Sequence, residues 1–146
     1  MNIRLAKAAD LNSIQKVIKA AFPGEESKVI NEFAANLSIE ITSPPIKSLV
    51  AEFQNQVIGY VSYSPVFLKT SSGISGYILA PLAVSPERQR QGVGSGLVKS
   101  GIEMLTQDGA CVLLVYGDPN YYGRFGFKKE TGDAFIPPYP LKYLFG

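Results

Sequence analysis

Apolar residues recur at helical spacing in two segments near the start of the chain. The first segment follows Asp10, a residue type that favours a helix N-terminus, and ends before Pro23-Gly24. Its apolar positions are Leu11, Ile14, Val17, Ile18 and Ala21. The second segment covers about residues 25–37 and has acidic residues in its first turn, where the helix dipole favours them. The pattern predicts two consecutive helices after a short strand at residues 3–5.

The middle of the chain changes to strand-like patterns. Residues 48–53 and 57–64 are rich in β-forming side chains, and the polar triplet Gln54-Asn55-Gln56 between them predicts a hairpin. A turn-rich segment at residues 69–73 leads into a longer strand over residues 74–84. Helical spacing returns after a glycine-rich stretch and lasts until Gly109. Residues 111–116 are a continuous apolar run, which predicts a strand buried on both faces.

This order of elements predicts an α+β fold in one domain over residues 1–146, a length that suits a single core. The expected sheet is mixed but mostly antiparallel, is flanked by helices, and includes one strand-helix-strand unit. Pro137, Pro138 and Pro140 disfavour a central strand near the C-terminus. The pairing of a final strand after Phe127 therefore stays open.

Composition excludes several classes of function. The chain has no histidine and one cysteine, so catalytic triads, Cys-His pairs and zinc sites of His and Cys ligands are excluded, and we expect no metal. Cys111 starts an apolar run and is expected to be a small buried side chain. With no signal-like N-terminus and no long apolar run, we expect a cytoplasmic protein without a membrane partner. A net charge of +2 argues against a nucleic-acid partner.

One glycine-rich stretch carries the chemistry. It lies between the end of a predicted strand and the start of a predicted helix, and reads Gln89-Arg90-Gln91-Gly92-Val93-Gly94-Ser95-Gly96. Unpaired N–H groups and the helix dipole favour anions at such a place, and glycine lets a phosphate approach the backbone. A Walker loop is excluded because no Gly-Lys-Ser/Thr follows, and a dinucleotide fingerprint fits poorly because Leu97 takes the third glycine position. An acyl-coenzyme A site and simple helix-to-sheet packing remain.

Two blocks of sequence resemble the GCN5-related N-acetyltransferase (GNAT) family. Residues 82–87 followed by residues 89–94 resemble its strand-to-helix signature, Q/R-x-x-G-x-G/A. Residues 117–127 are similar to the block whose tyrosine and terminal Gly-Phe close the cofactor site. The likeness is greatest to the bacterial YhbS-like branch. It implies an acetyl-CoA-dependent enzyme that moves an acetyl group directly to a primary amine of a small molecule or peptide N-terminus.

The resemblance also implies roles for individual residues. Backbone N–H groups of residues 90–95 would hold the pyrophosphate, and residues 82–84 would pair with the pantetheine arm like an added strand. The Val84 N–H would polarise the thioester carbonyl, and Tyr122, four residues before Gly126, would protonate the departing thiolate. The implied cofactor-binding residues are Leu82, Ala83, Val84, Gln89, Arg90, Gln91, Gly92, Val93, Gly94 and Ser95. Arg88 and Arg124 are expected to be solvated surface charges.

The sequence departs from the family pattern in the residues that would accept a proton from the substrate amine. Residues 74–84 contain no ionisable group except Tyr77, and Val115 replaces a frequent asparagine. The amine proton would therefore pass to a water chain or to an acid from elsewhere, for which the candidates are Glu25, Glu26 and Glu52. The missing base favours the alternative of a non-catalytic acyl-CoA-binding or regulatory module. The acceptor region, about residues 20–46, slightly favours a cationic amine, and a homodimer is left open.

Overall fold

The computed structural model describes residues 1–68, 75–110, 112–115, 119–127 and 135–136. Its strands are β1 (Asn2–Leu5), β2 (Lys47–Phe53), β3 (Gln56–Leu68), β4 (Ser75–Val84), β5 (Val112–Val115) and β6 (Phe135–Ile136). Its helices are α1 (Leu11–Ala21), α2 (Gly24–Ile39), α3 (Val93–Gln107) and α4 (Pro119–Tyr122). Short 3-10 turns cover Ala8–Asp10, Pro86–Arg88 and Gly123–Phe125. No helix within these ranges is long and apolar enough to cross a membrane.

The strands form one sheet in the order β1-β2-β3-β4-β5. Neighbouring strands are antiparallel except β4 and β5, which run parallel and are connected through α3. The mixed, mostly antiparallel sheet with a strand-helix-strand unit is therefore confirmed. β6 pairs with the far end of β3, at Phe67 and Leu68, which answers the question of the final strand.

Helices cover both faces of the sheet. On one face α1 and α2 bury a cluster that includes Ile18, Ile30 and Val50, and on the other α3 buries Leu97 and Val98. Under α3 the Tyr63 hydroxyl donates to the Leu97 carbonyl oxygen at 3.0 Å. A Cβ on Gly101 would collide with the Tyr63 ring, so this glycine allows the helix to lie close to the sheet.

The predicted hairpin forms, but its turn is shorter than the triplet. Gln54 and Asn55 both have positive φ, at 51° and 63°, as a two-residue hairpin turn requires. Gln56 already belongs to β3 and pairs with Phe53.

Two local expectations need correction. Asp10 does stand immediately before α1, but its carboxylate does not cap that helix. It instead accepts hydrogen bonds from the Arg4 guanidinium at 2.9 and 3.0 Å and from the Lys7 N–H at 2.7 Å. The prediction that β5 is buried on both faces is wrong, because all four of its described residues are only half-buried. Among the described strands it pairs with β4 alone, which leaves its other edge uncovered.

Candidate functional site

The candidate site lies along the part of β4 that no longer pairs with β5. β5 pairs with β4 only from Gly76 to Leu79, so no described strand lies beside the C-terminal half of β4 on that edge. The partners of β3 on β4 also shift near this point, from Leu82 to Leu79 across Val61 and Tyr63. The extra residue on β4 is a bulge, and a bulge bends its strand. The result is a cleft along residues 80–84 of β4.

Backbone groups along this edge alternate in direction. The Ser85 N–H donates to the Ile58 carbonyl oxygen at 2.9 Å, so that pair is hydrogen-bonded. In an antiparallel ladder the next pair is not, and its N–H and C=O groups point away from the partner strand. Val84 and Leu82 therefore direct their backbone groups into the cleft, whereas Ala83 uses its own to pair with β3. Of the three predicted strand residues, two can offer backbone hydrogen bonds to a ligand.

The N-terminus of α3 forms the second wall. Gly92 precedes the helix with a φ of +84°, a conformation that glycine adopts without strain, and it brings no side chain to cap the helix. The first helical bond runs from the Gly96 N–H to the Gly92 carbonyl oxygen at 2.9 Å. The N–H groups of the first turn consequently have no acceptor within the helix, and the helix dipole adds positive potential there.

Together these elements enclose a cleft of about 540 Å³. Every predicted cofactor residue except Gln91 lines it; the Gln91 side chain instead donates to the Glu87 carbonyl oxygen at 3.1 Å. The Gln89 side-chain amide donates to the Val84 carbonyl oxygen at 3.2 Å, which ties the loop to the open strand. The remaining lining residues were not in the predicted set, and they are Ala21, Phe22, Tyr121 and Arg124.

The adjacent tyrosines Tyr121 and Tyr122 point to different surroundings. The Tyr121 hydroxyl lies 2.5 Å from where a Cβ on Gly94 would stand, so it is at the start of α3. Tyr122 is half-buried, packs edge-on against Phe127 at 5.9 Å between ring centroids, and contacts the core under α3. Burial, with a smaller effect of Tyr121, raises the pKa of Tyr122 to about 12. Tyr122 is not among the residues that line the cleft, and its role as an acid stays a prediction.

Arg124, which the sequence analysis assigned to the solvated surface, also belongs to the cleft lining. Its side chain is exposed, as expected of a surface charge, but it lines the cleft and donates to the Ser95 hydroxyl at 2.9 Å. Its guanidinium carbon lies 4.5 Å from the Tyr121 ring centroid. The sequence signals for this position were a basic residue among aromatic residues and the two lysines that follow it, Lys128 and Lys129. Arg88 stacks on Phe53 at 4.7 Å and lies outside the cleft lining.

None of the three candidate carboxylates reaches the cleft lining. Glu52 on β2 accepts a hydrogen bond from Arg4 at 3.1 Å. Glu25 is in the first turn of α2, as predicted, and pairs with Lys28 at 3.0 Å on the surface. Glu26 shares that turn and is exposed. Cys111 lies outside the described residues, and Val115 is half-buried against the core.

The cleft thus combines free backbone hydrogen-bonding groups along a strand with unpaired N–H groups at a helix start. Its described lining includes Arg90 and Arg124 and no acidic residue. Such an arrangement suits an extended ligand with an amide-bearing arm and an anionic end.

Comparison with known proteins identifies similar chains. The family model described as "Acetyltransferase (GNAT) domain" matches residues 44–129. The chain is 33% identical to the Escherichia coli K12 protein named as an uncharacterised N-acetyltransferase, YjhQ, covering 91% of this chain and 73% of that one. It is 31% identical to E. coli K12 YhbS, also named as an uncharacterised N-acetyltransferase, over 88% of this chain and 74% of YhbS.

Two solved structures share the fold closely. One is a GNAT family acetyltransferase from Brucella melitensis in complex with acetyl-CoA, with a TM-score of 0.71, 31% identity, and coverage of 95% of this chain and 88% of that one. The other is YhbS from E. coli in complex with CoA, with a TM-score of 0.73, 27% identity, and coverage of 99% and 86%.

Proposed function

We propose how the cleft transfers an acetyl group, starting from the fact that the chain belongs to the GCN5-related N-acetyltransferase (GNAT) family. It is an acetyl-CoA-dependent N-acetyltransferase, as its two sequence blocks predicted. What the proposal adds is the role of each residue and the class of acceptor. The acceptor is a primary amine on a small molecule or at a peptide N-terminus.

The residues of the cleft fit acetyl-CoA. Its diphosphate would be held by the N–H groups of residues 92–95 at the start of α3, where no intrahelical acceptor competes for them. Gly94 leaves room at the start of α3, where a Cβ would stand 2.5 Å from the hydroxyl of Tyr121, a residue that also lines the cleft. The pantetheine arm carries two amides, and the backbone groups of Leu82 would pair with it like an added strand, because the Val84 carbonyl oxygen already accepts from Gln89.

The bound cofactor supplies an acetyl group activated as a thioester. The Val84 N–H, directed into the cleft, donates to the carbonyl oxygen of that group and stabilises the negative charge that grows there. Tyr122 packs edge-on against the cleft residue Tyr121, with 4.9 Å between ring centroids, and its raised pKa keeps its phenolic proton in place at neutral pH. From beside the lining, it supplies that proton to the departing thiolate. We propose that the acetyl group passes directly to the amine.

Water takes the proton of the amine in this proposal. Support comes from the placement of the three candidate carboxylates, since Glu25 and Glu52 are engaged by cations and Glu26 is exposed, all outside the cleft lining. A cytoplasmic location is expected from the cysteine usage and stays a prediction, and a homodimer stays open.

The unpaired edge of β4 is the single observation that carries this proposal, and hydrogen exchange tests it. In the free protein the amides of Leu82 and Val84 should exchange faster than the amide of Ala83, which pairs with β3 and serves as the internal control. Saturating acetyl-CoA should slow exchange at Leu82 and Val84 by about tenfold or more. Unchanged exchange at both, with acetyl-CoA shown to be bound, would place the arm elsewhere.

The alternative of a non-catalytic acyl-CoA-binding module is tested by released thiol. Acetyl-CoA is incubated with a panel of polyamines, amino acids and peptides, and thiol release is followed with and without the protein. An enzyme releases thiol in step with acetylated amine for at least one acceptor. Tight binding with no release across the panel would favour the regulatory module.

A further inference from the structure

Arg124 holds an unusual position for an exposed side chain. It belongs to the 3-10 turn after α4, yet it reaches the start of α3, where it donates to the Ser95 hydroxyl at 2.9 Å. Its guanidinium lies over two aromatic rings, with centroid distances of 4.5 Å to Tyr121 and 5.2 Å to Phe125. Three contacts restrict a side chain that would otherwise be free in water. The guanidinium is therefore fixed beside the unpaired N–H groups of α3.

The chemistry of a stacked guanidinium leaves donors available. Arginine has five N–H donors in one plane, and stacking on a ring uses the face of that plane rather than its edge. One donor is occupied by Ser95. The others can form paired hydrogen bonds with phosphate oxygens, for which this planar fork has suitable geometry.

The charge of the cleft also points to a strongly anionic ligand. Arg90 and Arg124 both line it, and the described lining includes no carboxylate that would neutralise them. Two full positive charges thus add to the partial charge of the helix N-terminus.

From this placement we infer that Arg124 determines which acyl donor the enzyme accepts, by binding the diphosphate of CoA. This inference rests on the proposed function and adds a side-chain contact to the diphosphate that the N–H groups of α3 would hold. The enzyme would use acetyl-CoA efficiently and would discriminate against donors that carry the same pantetheine thioester without a diphosphate. The Tyr121 ring positions the guanidinium for this contact.

The test compares three ligands by calorimetry: acetyl-CoA, acetyl-dephospho-CoA, which keeps the diphosphate but lacks the 3′-phosphate, and S-acetylpantetheine, which has no phosphate. Arg124→Gln should weaken binding of the first two by about tenfold or more and change the third by less than about twofold. It should also flatten the dependence of acetyl-CoA affinity on salt, because one charge contact is lost. Arg124→Lys keeps the charge without the stacked fork and should give a loss of intermediate size.

Arg88→Gln is the matched control, since Arg88 also stacks on an aromatic ring but lies outside the cleft lining. It should bind all three ligands as the wild type does. Equal losses for all three ligands in Arg124→Gln would mean that Arg124 only supports Tyr121, and would overturn the inference. A loss confined to acetyl-CoA would assign Arg124 to the 3′-phosphate and overturn it as well. Failure of the wild type to bind acetyl-CoA would instead contradict the proposed function.

Discussion

Two of the cavities in the described part of the chain are nearly equal in size, about 540 Å³ for the cofactor cleft and about 520 Å³ for a second cavity on the α1 and α2 side of the sheet. The second cavity lies between the start of α1, the end of α2 and the strands β1 to β3, and Tyr60 and Ser48 are part of its lining. Those strands are paired on the edges that meet there, since β2 lies between β1 and β3. The two cavities therefore do not differ in volume. They differ in the strand edges that line them, because only the cleft includes the unpaired edge of β4.

Polar side chains show the same contrast. In the second cavity Tyr60 and Ser48 share hydrogen bonds with Ser62, at 2.5 and 2.6 Å, so the hydroxyls satisfy one another. Its charged lining is mixed, with Lys7 and Lys47 against Glu40. The described lining of the cleft has charge of one sign and donors without internal acceptors. Unsatisfied donors with a matching charge thus characterise the cofactor cleft, whereas the lining of the second cavity includes residues between 34 and 46, which belong to the predicted acceptor region.

The largest effect is expected for Tyr122→Phe, which keeps the ring and its packing but removes the phenolic proton. Turnover should fall by about 100-fold or more, while acetyl-CoA affinity changes little, because the proton acts only as the thiolate leaves. Steady-state kinetics with calorimetry separates the two quantities. Turnover at the native rate would mean that solvent protonates the thiolate.

A smaller but clear effect is expected for Gly94→Ala, measured against Gly96→Ala two residues later on the same helix. The Cβ at position 94 would stand 2.5 Å from the Tyr121 hydroxyl and would face the cleft, so acetyl-CoA affinity should fall by about tenfold. The Cβ at position 96 would meet Ile3 and Met1 instead, away from the cleft, and binding should change by less than about twofold. Calorimetry on both folded variants measures acetyl-CoA affinity. Equal affinities would contradict the proposal that the diphosphate binds at the start of α3.

The parts of the fold predictable from sequence were those specified by local patterns. Helical spacing located α1, α2 and α3, and turn chemistry located the hairpin at Gln54 and Asn55. The glycine loop was also local, because three glycines within five residues at a helix start already determine what can approach the backbone. The cleft lining includes all of that predicted set except Gln91.

The missed features depend on residues distant in sequence. Asp10 was assigned to a helix cap, but Arg4 from β1 competes for its carboxylate. Nothing in a run of apolar residues shows whether a strand will lie at an edge, so β5 was wrongly expected to be buried on both faces. Arg124 meets Ser95, 29 positions earlier, only because α4 and α3 flank the same cleft. Such contacts follow from topology and cannot be found from spacing.

The hydroxyl groups of Tyr60, Ser62 and Ser48 hydrogen-bond to one another beside the second cavity. For this cluster we predict a change in stability without a change in activity. Tyr60 is 2% exposed, and burial raises its pKa to about 12. Tyr60→Phe removes its hydrogen bond to Ser62 and should lower the free energy of unfolding by about 1 kcal/mol. Urea unfolding and steady-state kinetics measure the two quantities. A tenfold loss of turnover without loss of acetyl-CoA binding would contradict this prediction and would indicate that the second cavity takes part in catalysis.

The last prediction concerns the ion pairs beside the second cavity, where the effect on stability depends on pH. Hydrogen bonds from Arg4, with a further one from the Lys7 N–H, hold the pKa of Asp10 below its usual range. A lowered pKa in the folded state contributes stability that is present above the unfolded pKa, about 4, and is lost as pH falls through the folded value. Asp10→Asn should therefore be less stable than the wild type by about 1 kcal/mol at pH 7. The gap should close progressively below about pH 4 in urea unfolding, because the native carboxylate then becomes protonated too. A gap that stays constant from pH 7 to pH 2 would mean that Asp10 acts through shape rather than charge, and acetyl-CoA affinity at pH 7 should be the same in both proteins.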